Sequence, residues 1–162
     1  MDIAERNYKL DPVLDISPDS DVVLVVGPRN VRLRIQSQVL RCASFPREVQ
    51  LVEDYTDTLR IICYVIYYRN NDVPQSLTLR EVLQITIEAN KYDLNIALKY
   101  ARVQWLKPRG RPEREDIGYL LAVAFLFGDI DMFIAHALAL ILHYTGSYLE
   151  FLNVEITSQI VP

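Results

Sequence analysis

Residues 21–26 (DVVLVV) are apolar at nearly every position, the pattern of a central strand covered on both faces. Gly27-Pro28-Arg29-Asn30 has turn chemistry. After it, Val31, Leu33 and Ile35 alternate with Arg32 and Arg34, which predicts a second strand with one buried and one wet face. The two form a β-hairpin. Ser37 is placed to N-cap a helix running to about Ser44, with Val39, Leu40 and Ala43 as its apolar stripe. Residues 47–52 again alternate with period two, a third and half-buried strand. Only Phe45-Pro46 joins that helix to that strand, although connections usually take about four to six residues.

Helical periodicity takes over from there. Residues 57–69 are apolar nearly all round: Leu59, Ile62, Cys63 and Ile66 make one face, and Ile61, Val65 and Tyr68 another. That pattern predicts a helix inside a bundle. Thr78-Leu79-Arg80-Glu81 reads as a capping box opening a helix to Tyr92, with Val82, Leu83, Thr86 and Ala89 on one side. Asp93-Leu94-Asn95 starts a shorter helix with Ala97, Ala101 and Trp105 in line. Residues 113–127 and 129–144 form two more, and the tail from Ser147 holds one further turn. The first twenty residues are polar, a loose arm or one edge strand. Strands first and helices after argue an α+β fold, a small three-stranded mixed sheet packed with helices. The organisation expected is an arm (1–20), a core domain (21–106), a linker (107–112) and a C-terminal helical extension (113–162).

The chain has 162 residues, 51% hydrophobic and 23% charged, enough for a sizeable core. Its net charge of -4 argues against nucleic acid as a partner, because such binding rests on clustered cations. Lys107, Arg109 and Arg111 are followed at once by Glu113, Glu115 and Asp116, which reads as a solvated linker. The apolar segment 119–142 is interrupted by Gly128, Asp129 and Asp131. Each Asp at a bilayer centre would cost about 2.5–3.5 kcal/mol, so two helices and a turn are expected rather than a membrane span. The N-terminus lacks the apolar run of a signal peptide, and an intracellular protein is expected.

Candidate chemistry is thin. Cys42 and Cys63 lie in apolar surroundings and read as reduced buried thiols. With His136 and His143 they have the wrong spacing for zinc, so no metal is expected. Five glycines stand singly, leaving no phosphate cradle, and no GxSxG occurs. Glu48, Glu53, Asp54 and Asp57 read as a solvated edge and an acidic helix start. No enzyme, cofactor or small-molecule substrate is expected. Tyr64, Tyr67 and Tyr68 on one helix fill core and rim, or serve a protein interface if exposed.

Four stretches in order resemble the BTB/POZ family, in its fungal branch. Asp21–Val26 with Leu33–Gln36 and Val39–Ser44 resembles the family's opening, D-V-x-L-x-V and then F-x-x-H-x-x-x-L-x-x-x-S. Thr58–Asn71 followed by Val73-Pro74 is similar to its central helix, and Glu88–Leu94 to its A-D-K-Y helix. The likeness covers about residues 15–106. Departures are plain. Leu33 and Gln36 stand where the family has Phe and His, and Ser37 stands where dimeric members place an Arg beside the Asp matched by Asp21. The second short helix and loop that precede the family's third strand are missing, with Phe45-Pro46 in their place. A naturally short chain, an excised loop and a break in numbering all account for that joint.

The resemblance implies protein–protein association without catalysis. Homodimerisation through the arm and first helix comes first, and adaptor or scaffold binding to a cullin of a ubiquitin ligase second. The partner-binding candidates are Asp21, Val39, Leu40, Tyr64 and Tyr68. The alternative is a small regulatory α+β domain whose C-terminal helices, 117–142, enclose an apolar ligand pocket.

Overall fold

A computed structural model describes residues 13–40, 47–107 and 112–143 of the chain. The Phe45-Pro46 joint, Cys42, most of the N-terminal arm, most of the 107–112 linker and the tail from Ser147 lie outside the described residues. Among the described residues the fold is α+β, with a small mixed sheet and five α-helices. It divides into two compact units, one ending at Arg69 and one starting at Asn70.

The first unit holds the sheet. Its strands are β1 (Leu14–Asp15), β2 (Val22–Val26), β3 (Val31–Ile35) and β4 (Glu48–Leu51), in spatial order β1-β3-β2-β4. The expected hairpin is present: β2 and β3 are antiparallel, with Leu24 opposite Leu33. β4 runs parallel to β2, and β1 runs parallel to β3. The sheet therefore has four strands, not three, because part of the arm pairs at its edge. β2 is buried at Val22, Leu24, Val25 and Val26, as its two-faced apolar pattern requires. On β3, Leu33 and Ile35 are fully buried, while Arg34 is exposed and pairs with Asp15 at 3.0 Å. Arg32 reaches across β2 to Glu48 at 2.7 Å, so the wet face is laced by charges.

The turn between β2 and β3 needs its glycine. Gly27 has φ +68°, and a Cβ there would lie 2.8 Å from Thr56 Oγ1 and 3.2 Å from the Asp54 carbonyl. Asp54 itself is buried, which corrects the solvated placement expected for it. Its amide donates to the Leu51 carbonyl at 3.3 Å in the turn that follows β4, and its own carbonyl lies close to Gly27.

α1 (Thr56–Ile66) buries Thr58, Leu59, Ile62 and Cys63. Ile61 and Val65 are half-buried, so α1 has one covered stripe and is not the all-round core helix expected. It also ends three residues early. Tyr68 takes φ +57°, a left-handed backbone that a helix cannot continue through. Burial of Cys63 pushes its thiol pKa up to about 12, so it is an unreactive thiol.

The second unit comprises α2 (Leu79–Lys91), α3 (Lys99–Trp105), α4 (Arg114–Phe127) and α5 (Ile130–His143). The Thr78 capping box forms as expected: Thr78 Oγ1 accepts from the Glu81 amide, and the Glu81 carboxylate accepts from the Thr78 amide at 2.7 Å. That second bond favours the ionised carboxylate and lowers its pKa. Val82, Leu83, Thr86 and Ala89 are buried, as expected. α3 departs from expectation. Leu98 and Trp105 carry its burial, while Ala97 is exposed, because the helix begins only at Lys99. Trp105 anchors it by donating Nε1–H to the Pro74 carbonyl at 2.8 Å.

α4 and α5 pack as a helical hairpin, and α4 also packs on α2. Gly128, at φ +66°, closes α4. The tip is held from α3 and the turn before it: Asn95 Nδ2 donates to the Leu126 carbonyl at 3.2 Å, and Arg102 pairs with Asp129 at 3.2 Å. The Arg102 guanidinium also lies 4.7 Å from the Phe127 ring centre. Among the described residues, no helix is long and apolar enough to cross a membrane.

Candidate interaction surface

The candidates Asp21, Val39, Leu40, Tyr64 and Tyr68 all belong to the first unit. Asp21 immediately precedes β2 and faces the end of β3, since its amide donates to the Ile35 carbonyl at 3.0 Å. From there its carboxylate reaches Ser37. The Ser37 amide and hydroxyl both donate to it, each at 2.6 Å. Those two bonds, the hydroxyl first, favour the ionised form and lower the Asp21 pKa, although the carboxylate is fully exposed.

Asp21, sixteen residues earlier, thus accepts the first amide of the following turn, and the Ser37 hydroxyl donates to the same carboxylate. The turn itself, Ser37–Leu40, is a 3₁₀ helix carrying the backbone of Val39 and Leu40. The side chains of those two residues lie outside the described ones.

The C-terminal end of α1 reaches the same place. Tyr67 donates its hydroxyl to the Gln36 carbonyl at 2.6 Å, next to Ser37. Burial, and then the neighbouring Cys63 and Asp21, push the Tyr67 pKa up to about 12, so it stays a neutral donor. Tyr64 is half-buried beneath the Arg69 guanidinium, 5.2 Å from its ring centre. Arg69 in turn donates to the Asp15 carbonyl at 2.7 Å and ties α1 to β1. Tyr68 projects outward, 85% exposed. Asp15, Ile16, Ser17, Pro18, Tyr67 and Arg69 line a shallow open cleft of about 430 Å³ beside it.

The structure therefore brings Asp21 to the Val39–Leu40 turn and sets Tyr67 between that turn and the tyrosine end of α1. It divides the two tyrosine candidates: Tyr64 is covered by Arg69, and Tyr68 is free to be touched. Tyr67 and Arg69 do the positioning; the sequence grouped Tyr67 with its two neighbouring tyrosines as core or rim and did not single out Arg69. For Tyr67 a signal existed, since it stands four residues after the buried Cys63 and carries a hydroxyl that must find an acceptor. For Arg69 there was none.

Elsewhere, α4 and α5, the pair expected to enclose a pocket, turn Ile130, Ile134, Leu138, Ile141 and Leu142 of α5 to solvent. His136 is half-buried, which lowers its pKa. Among the described residues, no three His, Cys, Asp or Glu side chains converge to hold a metal ion. Comparison of the chain with known protein families, with curated proteins and with solved structures finds no match.

Proposed function

We propose that this chain is a protein–protein association module of the BTB/POZ kind, not an enzyme. It acts by self-association first and, second, as an adaptor or scaffold for a cullin-type partner. The observation that carries the reading is the Asp21–Ser37 clamp, with Tyr67 on Gln36 beside it. The clamp occupies the place where the resemblance puts a buried Asp–Arg pair, with a serine doing the donating. It fixes the backbone that presents Val39 and Leu40, and a pre-set backbone lowers the ordering cost of docking. An intracellular setting fits a buried, reduced Cys63.

Light scattering on the 162-residue chain at tens of micromolar tests this. The expected mass is above that of a monomer and falls when Val39→Asp and Leu40→Asp are introduced together. A monomer at every concentration, with no capture by a cullin N-terminal domain, overturns the reading.

A further inference from the structure

The loop between β1 and β2 is short and held at both ends. The Ile16 amide donates to the Arg34 carbonyl at 2.9 Å, and the Asp21 amide to the Ile35 carbonyl at 3.0 Å. Between these anchors Ile16 is buried, Ser17 half-buried, and Pro18 and Asp19 exposed in a turn, with the Ser20 hydroxyl donating to the Ser17 carbonyl. Of the chain's eight prolines, Pro18 alone follows a serine or threonine. A kinase whose pocket leaves the amide after the acceptor unmet selects proline there, because proline has no amide hydrogen to strand.

Ser17 also shares a wall with a cation. Asp15, Ile16, Ser17, Pro18, Tyr67 and Arg69 line one open cleft of about 430 Å³. Arg69 donates to the Asp15 carbonyl at 2.7 Å. Ser17 stands two residues further on, so at most about 7 Å of extended chain separates the two positions. The carboxylates nearby already have partners. Asp15 pairs with Arg34 at 3.0 Å, and Asp21 accepts from Ser37. Asp19 is exposed, where salt screens it.

We propose that Ser17 is the acceptor of a proline-directed protein kinase, and that its phosphate binds Arg69 and clamps β1 to the end of α1. In the transfer the Ser17 hydroxyl oxygen bonds to the γ-phosphorus of ATP as the bond from that phosphorus to ADP breaks, and the hydroxyl proton passes to a base of the kinase. The product carries a charge of about −1.5 to −2 and three acceptor oxygens. A guanidinium bonds phosphate more strongly than the neutral carbonyl it meets now, and through parallel donors. With the Asp15 bond kept and the phosphate added, one side chain ties down both Asp15 and Ser17. That side chain is itself fixed: the Arg69 amide donates to the Tyr64 carbonyl at 2.8 Å, and its guanidinium lies over the Tyr64 ring. β1 is only two residues long and gains most from such a clamp. Nothing in this depends on the chain's self-association.

The test incubates the 162-residue chain with MgATP and a cyclin-dependent kinase, then reads it at dilutions where it is monomeric. Mass spectrometry is expected to find phosphate on Ser17, and none there in Ser17→Ala or Pro18→Ala. Hydrogen exchange followed by NMR is expected to show the Ile16 amide exchanging roughly tenfold more slowly after phosphorylation, about the worth of one charged hydrogen bond. Arg69→Gln is expected to take the phosphate and lose the slowing. Arg34→Gln removes the other guanidinium beside Asp15 and is expected to keep it. Each variant is compared with and without phosphate, so a change in its own stability cancels. The inference is overturned by a chain that takes no phosphate on Ser17, or by an Ile16 amide that is unchanged or faster afterwards. Slowing that survives Arg69→Gln, or vanishes in Arg34→Gln, overturns it as well.

Discussion

Val22–Val26 and Ile130–His143 are both apolar on nearly every side, yet β2 is covered and α5 is not. β2 has a strand on each edge and four of its five residues buried. α5 packs on α4 and leaves its other face in water. The difference lies in what each element needs. A central strand satisfies its backbone only by pairing, so its place in the sheet decides its burial along with its hydrogen bonds. A helix satisfies its backbone internally and can stand at a surface with an apolar face unmet. An all-apolar segment therefore states a demand for cover, and only for strands does the same chain have to supply it.

The sharpest way to break this comparison is to shorten one leucine in each region. Leu33 is fully buried, and Leu33→Ala should cost about 2–5 kcal/mol of unfolding free energy. Leu138 is half open to water, and Leu138→Ala should cost under about 0.5 kcal/mol in the monomer. Urea unfolding followed by circular dichroism, at dilutions where the chain is monomeric, measures both. Equal losses would mean that α5 is covered after all within one chain.

The two left-handed glycines give a smaller contrast of the same kind. The added methyl of Gly128→Ala meets nothing within 4 Å, so only the backbone strain counts, about 1–2 kcal/mol. Gly27→Ala carries the same strain and drives its Cβ against Thr56 Oγ1 and the Asp54 carbonyl, so its loss should be the larger of the two. The turn beside the buried strand is crowded and the turn beside the exposed helix is open. Removing the Thr78 cap by Thr78→Ala should cost about 1 kcal/mol. A negligible loss would show α2 to be held by packing alone.

Much of the architecture was legible where a pattern repeats. The β2–β3 hairpin follows from alternation around a Gly-Pro-Arg-Asn turn, and the α2 start from Thr78 and Glu81 three apart. β1 was less legible, because two residues carry no periodicity and their pairing depends on β3. The end of α1 was hidden because Tyr67 and Tyr68 fit a helix as well as a turn; only the left-handed Tyr68 backbone separates them. At the candidate site, Asp21 was legible through a resemblance. Its bond to Ser37 was not, since it joins side chains sixteen residues apart whose meeting depends on hairpin register. α5's outward face was unreadable for the reason β2 was readable: apolar composition does not say where the cover comes from.

The smallest expected effect probes the covered side of α5. Partial burial lowers the folded pKa of His136 below its ordinary 6.5. Above pH 6.5 the imidazole is neutral whether the chain is folded or not, and its contribution to stability is complete. As pH falls below 6.5 the unfolded chain takes up a proton that the folded chain still refuses, so stability declines until pH has passed the lower, folded value. Carboxylates begin to titrate only near about pH 5, which leaves a window between the two. Urea midpoints at several pH values in that window should fall for the parent and stay flatter for His136→Gln, by a difference smaller than the Thr78 effect. His143 is present in both proteins and cancels in the subtraction. Parallel pH profiles would mean that His136 is solvated, that α5 is loose on α4 in solution, and that its two sides are not the opposites the fold makes them.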